Sequence, residues 1–295
     1  MMRMAVTGLH GQVVQSLIER ANNITDVSIV PLGRPELDLQ DTGTIDPALK
    51  SARPDVIVSA AAYTAVDRAE SEQDVAMTVN GVAPGLLAAT AKELGVPLIH
   101  ISTDYVFDGF KDEPYREEDA VNPLGVYGLS KLAGEHAVRQ ATANHIILRT
   151  AWVYSPFGAN FVKTMLRLAG DREELNVVGD QLGAPTNALD IADAVIGVAR
   201  QMLARPDDMQ KRGTFHLSGT GYTDWAHFAE TIFEISATLG GPQAKINRIA
   251  TSEYPTPARR PANSRLDNDK LRRNFSIVTP EWRESLPRVV QRLLV

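Results

Sequence analysis

Through the first half of the chain, short apolar runs alternate with longer segments of helical period. MAVT (4–7), VSIVPL (27–32), DVIVSAAA (55–62), PLIHIST (97–103) and HIILRTAWVY (145–154) are each strand candidates. They are apolar at successive positions, so both faces of each strand are expected to be buried. Helical patterns over 12–21, an Ala/Leu-rich 69–94 and 122–138 separate them. This alternation predicts an α/β fold, a doubly wound parallel sheet of the Rossmann type. After about residue 155 the rhythm changes. A helix at 158–169, a short strand at 175–179, the loop DQLGAPTN and a helix at 188–204 follow. GTFHLSG (213–219) reads as a strand returning to the main sheet. A helix at 223–239, the Pro/Arg-rich stretch SEYPTPARRPANSRLD (252–267) and a helix near 280–294 complete the pattern. The expectation is a Rossmann domain of 1–155 plus about 187–219. A smaller interleaved C-terminal lobe would hold about 156–186 plus 220–295.

Charge and composition narrow the partners. With 30 Lys and Arg against 36 Asp and Glu, the net charge of −6 argues against nucleic acid. An anionic ligand must then be held locally, by arginines or helix N-termini. The absence of cysteine excludes disulfides, zinc–thiolate sites, iron–sulfur clusters and a thiol nucleophile. The opening MMRMAVTGLHG has no apolar core of signal-peptide length, and no run approaches the ~18 apolar residues of a membrane span. A soluble, cytoplasmic protein with no membrane partner is expected.

Candidate chemistry starts at the first strand–helix turn. MAVTGLHGQVV sets Gly8 and Gly11 between them, the context of a dinucleotide-binding turn. Gly8 permits the tight turn, and Gly11 lets backbone approach a pyrophosphate at the positive helix end. Val14 stands where a third glycine is common, and His10 reads as a solvent-facing loop residue. After the second strand, Arg34 suits a ribose 2′-phosphate, while Glu36 or Asp38 suits a free 2′-hydroxyl. The balance leans to NADPH, with NADH left open. HISTDYVFDG ends the fourth strand with Ser102, Thr103 and Asp104, where open α/β sheets bind ligands. Tyr127 and Lys131 are four apart on one helix face. A phenol of pKa ~10 is a poor acid at neutral pH, and a neighbouring ammonium is expected to lower it toward useful acid–base chemistry.

Together the G-x-x-G turn, Thr103 and Tyr127-x-x-x-Lys131 resemble the extended short-chain dehydrogenases/reductases. The likeness is greatest to the branch that reduces dTDP-4-dehydrorhamnose. It is carried by TGLHGQV, RPDVIVSAAAYTAVDRAE, STDYVFDG, NPLGVYGLSKLAGE, LRTAWVYSPFGANFVKTMLRLA, DQLGAPTN and YPTPARRPANSRLD, from residue 7 to residue 267. The resemblance implies NAD(P)H-dependent reduction of the C4 ketone of dTDP-4-dehydro-β-L-rhamnose to dTDP-β-L-rhamnose. Tyr127 would donate the proton, Lys131 would tune it and bind ribose, and Thr103 would position the carbonyl oxygen. Gly8, Gly11, Gln12 and Val13 would lie along the pyrophosphate, Asp38 and Leu39 near the adenosine, and Ala61, Ala62, Tyr63 and Thr64 along the groove. Val66, Asp104, Tyr105, Trp152 and Asn160 would surround the sugar. Arg259, Arg260 and Arg265 form a fork-bearing cluster suited to the diphosphate, with Arg260 favoured. Some members dimerise through a metal held by glutamates. VVQSLIE and NALDIAD lack them at the expected places, so no metal is expected and a homodimer stays open.

Two other readings compete. An epimerase or dehydratase of the same superfamily would recycle the nucleotide cofactor. A dehydratase usually needs an acidic pair beside the threonine, where this chain has Asp104 and Tyr105. A non-catalytic NADP-binding regulatory subunit is the third, opposed by the intact Thr103–Tyr127–Lys131 set.

Overall fold

The computed structural model describes residues 1–295. The first half contains β1 (Met2–Thr7), α1 (Gln12–Asn22), β2 (Val27–Leu32), α2 (Ile45–Ala52) and β3 (Val56–Ser59). Next come α3 (Val66–Ala69), α4 (Gln73–Met77), α5 (Ala83–Leu94), β4 (Leu98–Thr103), α6 (Val126–Ala141) and β5 (His145–Thr150). The second half contains β6 (Val153–Tyr154), α7 (Phe161–Ala169), β7 (Glu174–Val178), β8 (Leu182–Gly183), β9 (Thr186–Asn187) and α8 (Ala188–Ala204). It ends with β10 (Gly213–His216), β11 (Thr223–Asp224), α9 (Trp225–Thr238), β12 (Lys245–Ile249), α10 (Asp269–Phe275) and α11 (Trp282–Leu294). Six strands form one sheet in the order β10-β5-β4-β3-β1-β2, and every pair is parallel. The expected doubly wound α/β fold is therefore present, and 213–216 does return to its edge.

Burial explains the apolar runs. Val56, Ile57 and Val58 are all fully buried, because helices cover both faces of the sheet. One core packs α1 and α8 on one face, with Val14, Leu17, Val195 and Val198. The other packs α2, α5 and α6 on the opposite face, with Leu49, Leu87 and Val138. A separate core joins α7, α9 and α11 through Val162, Phe228, Ile232 and Val289, away from the main sheet. No helix is long and apolar enough to cross a membrane.

Several expected elements differ. The helix expected over 69–94 is broken, with a π-helical turn at Thr78–Val82. Pro84 in the first turn of α5 has no N–H to offer the Asn80 carbonyl, so the helical ladder must re-pair there. The strand expected over 145–154 stops at Thr150, because Trp152 takes a left-handed φ of 49°. Helix α6 starts at Val126 rather than Asn122.

The sheet buries histidines that have no room to charge. His216, at the end of β10, is fully buried, and its ring meets Phe107 edge-on. Burial, reinforced by the Arg149 charge, lowers it from 6.5 to about 3. Between those values the unfolded chain binds the proton and the folded chain does not, so stability present above about 6.5 is lost as pH falls. Urea unfolding should lose up to roughly 1.4 kcal/mol per pH unit through this window for that one group. His216→Gln should flatten the slope. An equal slope in the variant would assign the acid sensitivity elsewhere.

Candidate active site

The turn after β1 is built for close approach of a ligand. Gly8 has φ of 102°, and a Cβ there would come 3.3 Å from Val14 Cγ2 and 3.4 Å from Ala61 Cβ. Val14, in place of a third glycine, is buried beneath the turn and fills that space. Gly11 caps α1 with no side-chain hydrogen bond, so the first-turn amides remain available to an anion. Thr7 Oγ1 accepts from the amides of Ala60 and Ala61 at 3.0 Å, fixing the end of β3 beside the turn.

Two clefts share Gly8, His10, Ala61 and Ala62 and so form one groove. The first, of 530 Å³, is lined by Arg34, Asp38, Leu39 and Tyr63, among others. The second, of 670 Å³, holds Gly11, Gln12, Val13, Thr64, Thr103, Tyr127 and Lys131. A continuous groove with free helix amides at its middle fits a dinucleotide. Arg34 is exposed at its rim; Glu36 lies outside it. Asp38 is partly committed, its carboxylate accepting from the Gln40 amide at 2.9 Å. Leu39 is mostly core. No group of three or more His, Asp or Glu side chains is arranged to hold a metal ion.

At the strand ends the reactive groups converge. Thr103 closes β4 and is buried. Its hydroxyl donates to Asp104 Oδ1 at 2.9 Å and accepts from the Tyr105 amide at 3.2 Å. Tyr127 and Lys131 project from one face of α6, and the Tyr127 ring meets Tyr105 edge-on at 5.4 Å. Gly128 makes this approach possible, because a Cβ there would lie 2.2 Å from the Tyr105 carbonyl oxygen. The helix start is held by Glu70, whose carboxylate accepts from the Val126 amide at 2.9 Å.

The electrostatics correct one expectation. Burial raises the Tyr127 phenol above its ordinary value, the Asp104 charge adds to the rise, and the nearby Thr103 hydroxyl opposes it. Lys131 does not lower it. Its ammonium instead donates to the Ile101 carbonyl at 2.7 Å, and burial pulls it down to about 8 against the Glu135 charge. Burial lifts Asp104 to about 6, and its Oδ2 has no hydrogen-bond partner. Burial also raises Tyr105 to about 12, so it is a neutral phenol at physiological pH.

Val66, Asp104, Tyr105 and Trp152 line the same cleft as Thr103, Tyr127 and Lys131. Asn160 does not. It caps α7, and its amide donates to Gln12 Oε1, Ser155 O and Phe157 O, so its polar atoms are already used. Gln12 is likewise turned toward Ser155 and Val153, leaving its backbone for the turn. Trp152 stacks on Trp225 at 3.5 Å, and Trp225 in turn walls a third cavity of 730 Å³. Phe161, Tyr254, Arg172 and Arg260 also line that cavity. The expected arginine trio separates. Arg259 is exposed, Arg265 binds Asn263 and the Asp112 carbonyl, and Arg260 alone faces the cavity. Arg260 also pairs with Asp67 of α3 at 3.0 Å, while its buried Nε has no partner.

Some positioning residues carry no local sequence signal. Asn80, in the π-helical turn, binds the amide and carbonyl of Tyr63 and the Ser130 hydroxyl, tying the groove wall to α6. Asp67 and the buried Glu135–Arg149 pair are also long-range partners. Asp67, Glu135 and Arg149 fall inside stretches that sequence reading picks out, but nothing there shows their partners, and Asn80 falls outside them altogether.

Comparison with known proteins agrees with this geometry. The sequence matches the family described as RmlD substrate binding domain over residues 2–295. It is 54% identical over 294 residues to a dTDP-4-dehydrorhamnose reductase of Sinorhizobium fredii, covering 100% of this chain and 98% of that protein. The crystal structure of a dTDP-4-dehydrorhamnose reductase from Clostridium acetobutylicum superposes with a TM-score of 0.89 at 36% identity, covering 100% of both chains. That of Bacillus anthracis, solved in complex with NADP, gives 0.89 at 35% identity over 98% of both. A fold, a groove and a full-length match thus coincide, and the chain belongs to the RmlD substrate binding domain family.

Proposed function

We propose that this chain is an NADPH-dependent oxidoreductase that converts dTDP-4-dehydro-β-L-rhamnose to dTDP-β-L-rhamnose, and that it works in the cytoplasm. The names of its full-length relatives support the substrate. The observation that carries the chemistry is the meeting of Thr103, Tyr127 and Lys131 in a cleft continuous with the dinucleotide groove. The cofactor, when bound, supplies hydride to the sugar C4. Gly8, Gly11, Gln12 and Val13 hold its pyrophosphate through backbone, and Ala61, Ala62, Tyr63 and Thr64 wall the groove. Arg34 at the adenosine rim favours NADPH, because a guanidinium fork matches a 2′-phosphate.

Tyr127 keeps its proton across the physiological range, since burial raises the phenol. That proton passes to the oxygen left negative as C4 accepts hydride, because an alkoxide is a stronger base than even a buried phenolate. Thr103 sits beside this oxygen and aligns it. Lys131 contributes a buried cation near the developing charge. Asp104 lines the same cleft and holds the Thr103 hydroxyl through Oδ1. The third cavity suits a nucleoside diphosphate, with the base against Phe161 and Trp225 and the phosphates toward Arg260. Tyr105, a neutral phenol, gives no second carboxylate for water elimination, which sets the dehydratase reading aside.

The direct test generates the 4-dehydrorhamnose nucleotide in situ and follows NADPH and NADH absorbance separately; no oxidation of either ends the reading. Tyr127→Phe should lower kcat by about 10²–10⁴, the range of general-acid catalysis, with NADPH affinity near wild type by fluorescence titration. An unchanged rate would remove Tyr127 as the acid. Arg260→Met should raise the sugar-nucleotide KM roughly tenfold to a hundredfold with little change in kcat, as loss of a charged hydrogen bond does. An unchanged KM would take the diphosphate away from Arg260.

A further inference from the structure

Behind the reactive face of α6 lies a charged network that the chemistry above does not use. Tyr127, Lys131, Glu135 and Arg139 recur every four residues along that face. The Glu135 side chain is fully buried. Its carboxylate accepts from the Ser102 hydroxyl at 2.6 Å, from Arg149 Nε at 2.8 Å and Nη2 at 2.7 Å, and from Arg139 at 2.7 Å. Ser102 precedes Thr103 on β4, and Arg149 precedes Thr150 on β5. Arg139 continues to Thr214 on β10 at 3.0 Å. One carboxylate thus ties α6 to two strands, next to the strand end that carries Thr103, and Arg139 of the same helix reaches a third. The Arg149 guanidinium also lies 5.0 Å over Phe107, just beyond the Asp104–Val106 turn.

We propose that Glu135 is the positioning residue of this site: it locks the Tyr127–Lys131 face of α6 against the Thr103 strand and sets an anion one turn from Lys131. This rests on the reductase reading for its kinetic consequence alone. Other charged or titratable groups surround the pair. Asp104, Tyr105 and Tyr127 stand toward the cleft, His100 lies on β4, and Arg139, Arg149, His145 and His216 lie on the far side. His100 is buried and lowered well below its ordinary range, and His216 is neutral above about 3, so neither adds charge near neutrality. Burial favours loss of the Lys131 proton, and Glu135 is the acid that opposes it. Burial would also protonate Glu135, but the hydrogen bonds and charge of Arg149, with Ser102 and Arg139, hold it at about 2. It therefore stays an anion throughout the working range.

Two variants break the same ion pair and separate the roles. Glu135→Gln removes the anion, while Arg149→Met keeps a carboxylate whose charge Ser102 and Arg139 still hold. In E135Q the alkaline limb of kcat/KM, set by loss of the Lys131 proton near pH 8, should move down by roughly one pH unit. Activity should then fall about fivefold at pH 8 and stay within about twofold of wild type at pH 6. In R149M the limb should stay or move up. Where E135Q alone does not fold, E135Q/R149M compared with R149M makes the same test. A purely structural role lowers the rate equally at every pH in both variants, and that result overturns the proposal. Lys131 titration is also read without substrate, by NMR of chains labelled at lysine Cε and assigned with Lys131→Arg. A Lys131 midpoint unmoved between the paired variants overturns the proposal even if the wild type reduces no sugar.

Discussion

The close docking of α6 on the parallel sheet is the constraint on which the site depends. Tyr127 and Lys131 act on a ligand at the end of β4 only if the helix lies against that strand. Gly128 lets it reach the Tyr105 backbone, Glu70 holds its first turn, and Glu135 joins it to Ser102 and Arg149. Asn80 adds a link from the groove wall to Ser130 on the same helix. The π-helical turn that presents Asn80 follows from Pro84, so a missing N–H in α5 contributes to the geometry of a neighbouring helix. A buried ion pair of this kind is poor evidence for stability, because desolvation offsets much of its attraction. Its value here is orientation.

Burial then decides the protonation states. It keeps the Tyr127 phenol neutral, weakens the hold of Lys131 on its proton and lifts Asp104 toward neutrality. The phenol is protonated near neutrality at either value, and the rise makes it a weaker acid, one whose proton goes only to a strongly basic oxygen such as an alkoxide. In the proposed chemistry the lysine contributes through its own charge. The negative balance of the whole chain is likewise answered locally, by Arg34 at one end of the groove and Arg260 at the far cavity.

Much of this is legible in the sequence, for definite reasons. Strands such as Val56–Ser59 stand out because both of their faces are covered, and Tyr127 and Lys131 stand out because a helix puts i and i+4 together. The turn at Gly8 is recognisable from its place between strand and helix. The short helices Ile45–Ala52 and Asp269–Phe275 and the strand Lys245–Ile249 are less so, since they offer only brief or polar patterns. Asn160 looks available in the sequence, but the α7 cap and Gln12 consume its hydrogen bonds. Arg260 and Arg265 look alike in ARRPANSR, and only their partners, Asp67 and the Asp112 carbonyl, tell them apart. Contacts between residues more than a hundred positions apart leave no local period to read.

The central claim is that hydride leaves the cofactor for the sugar while Tyr127 protonates the oxygen. The most direct measurement supplies NADPH carrying deuterium at nicotinamide C4, with the 4-dehydrorhamnose nucleotide, and locates the label by NMR and mass spectrometry. The account predicts one deuterium at C4 of the hexose for each NADPH consumed. Product formed without net loss of NADPH and without deuterium at C4 would contradict it.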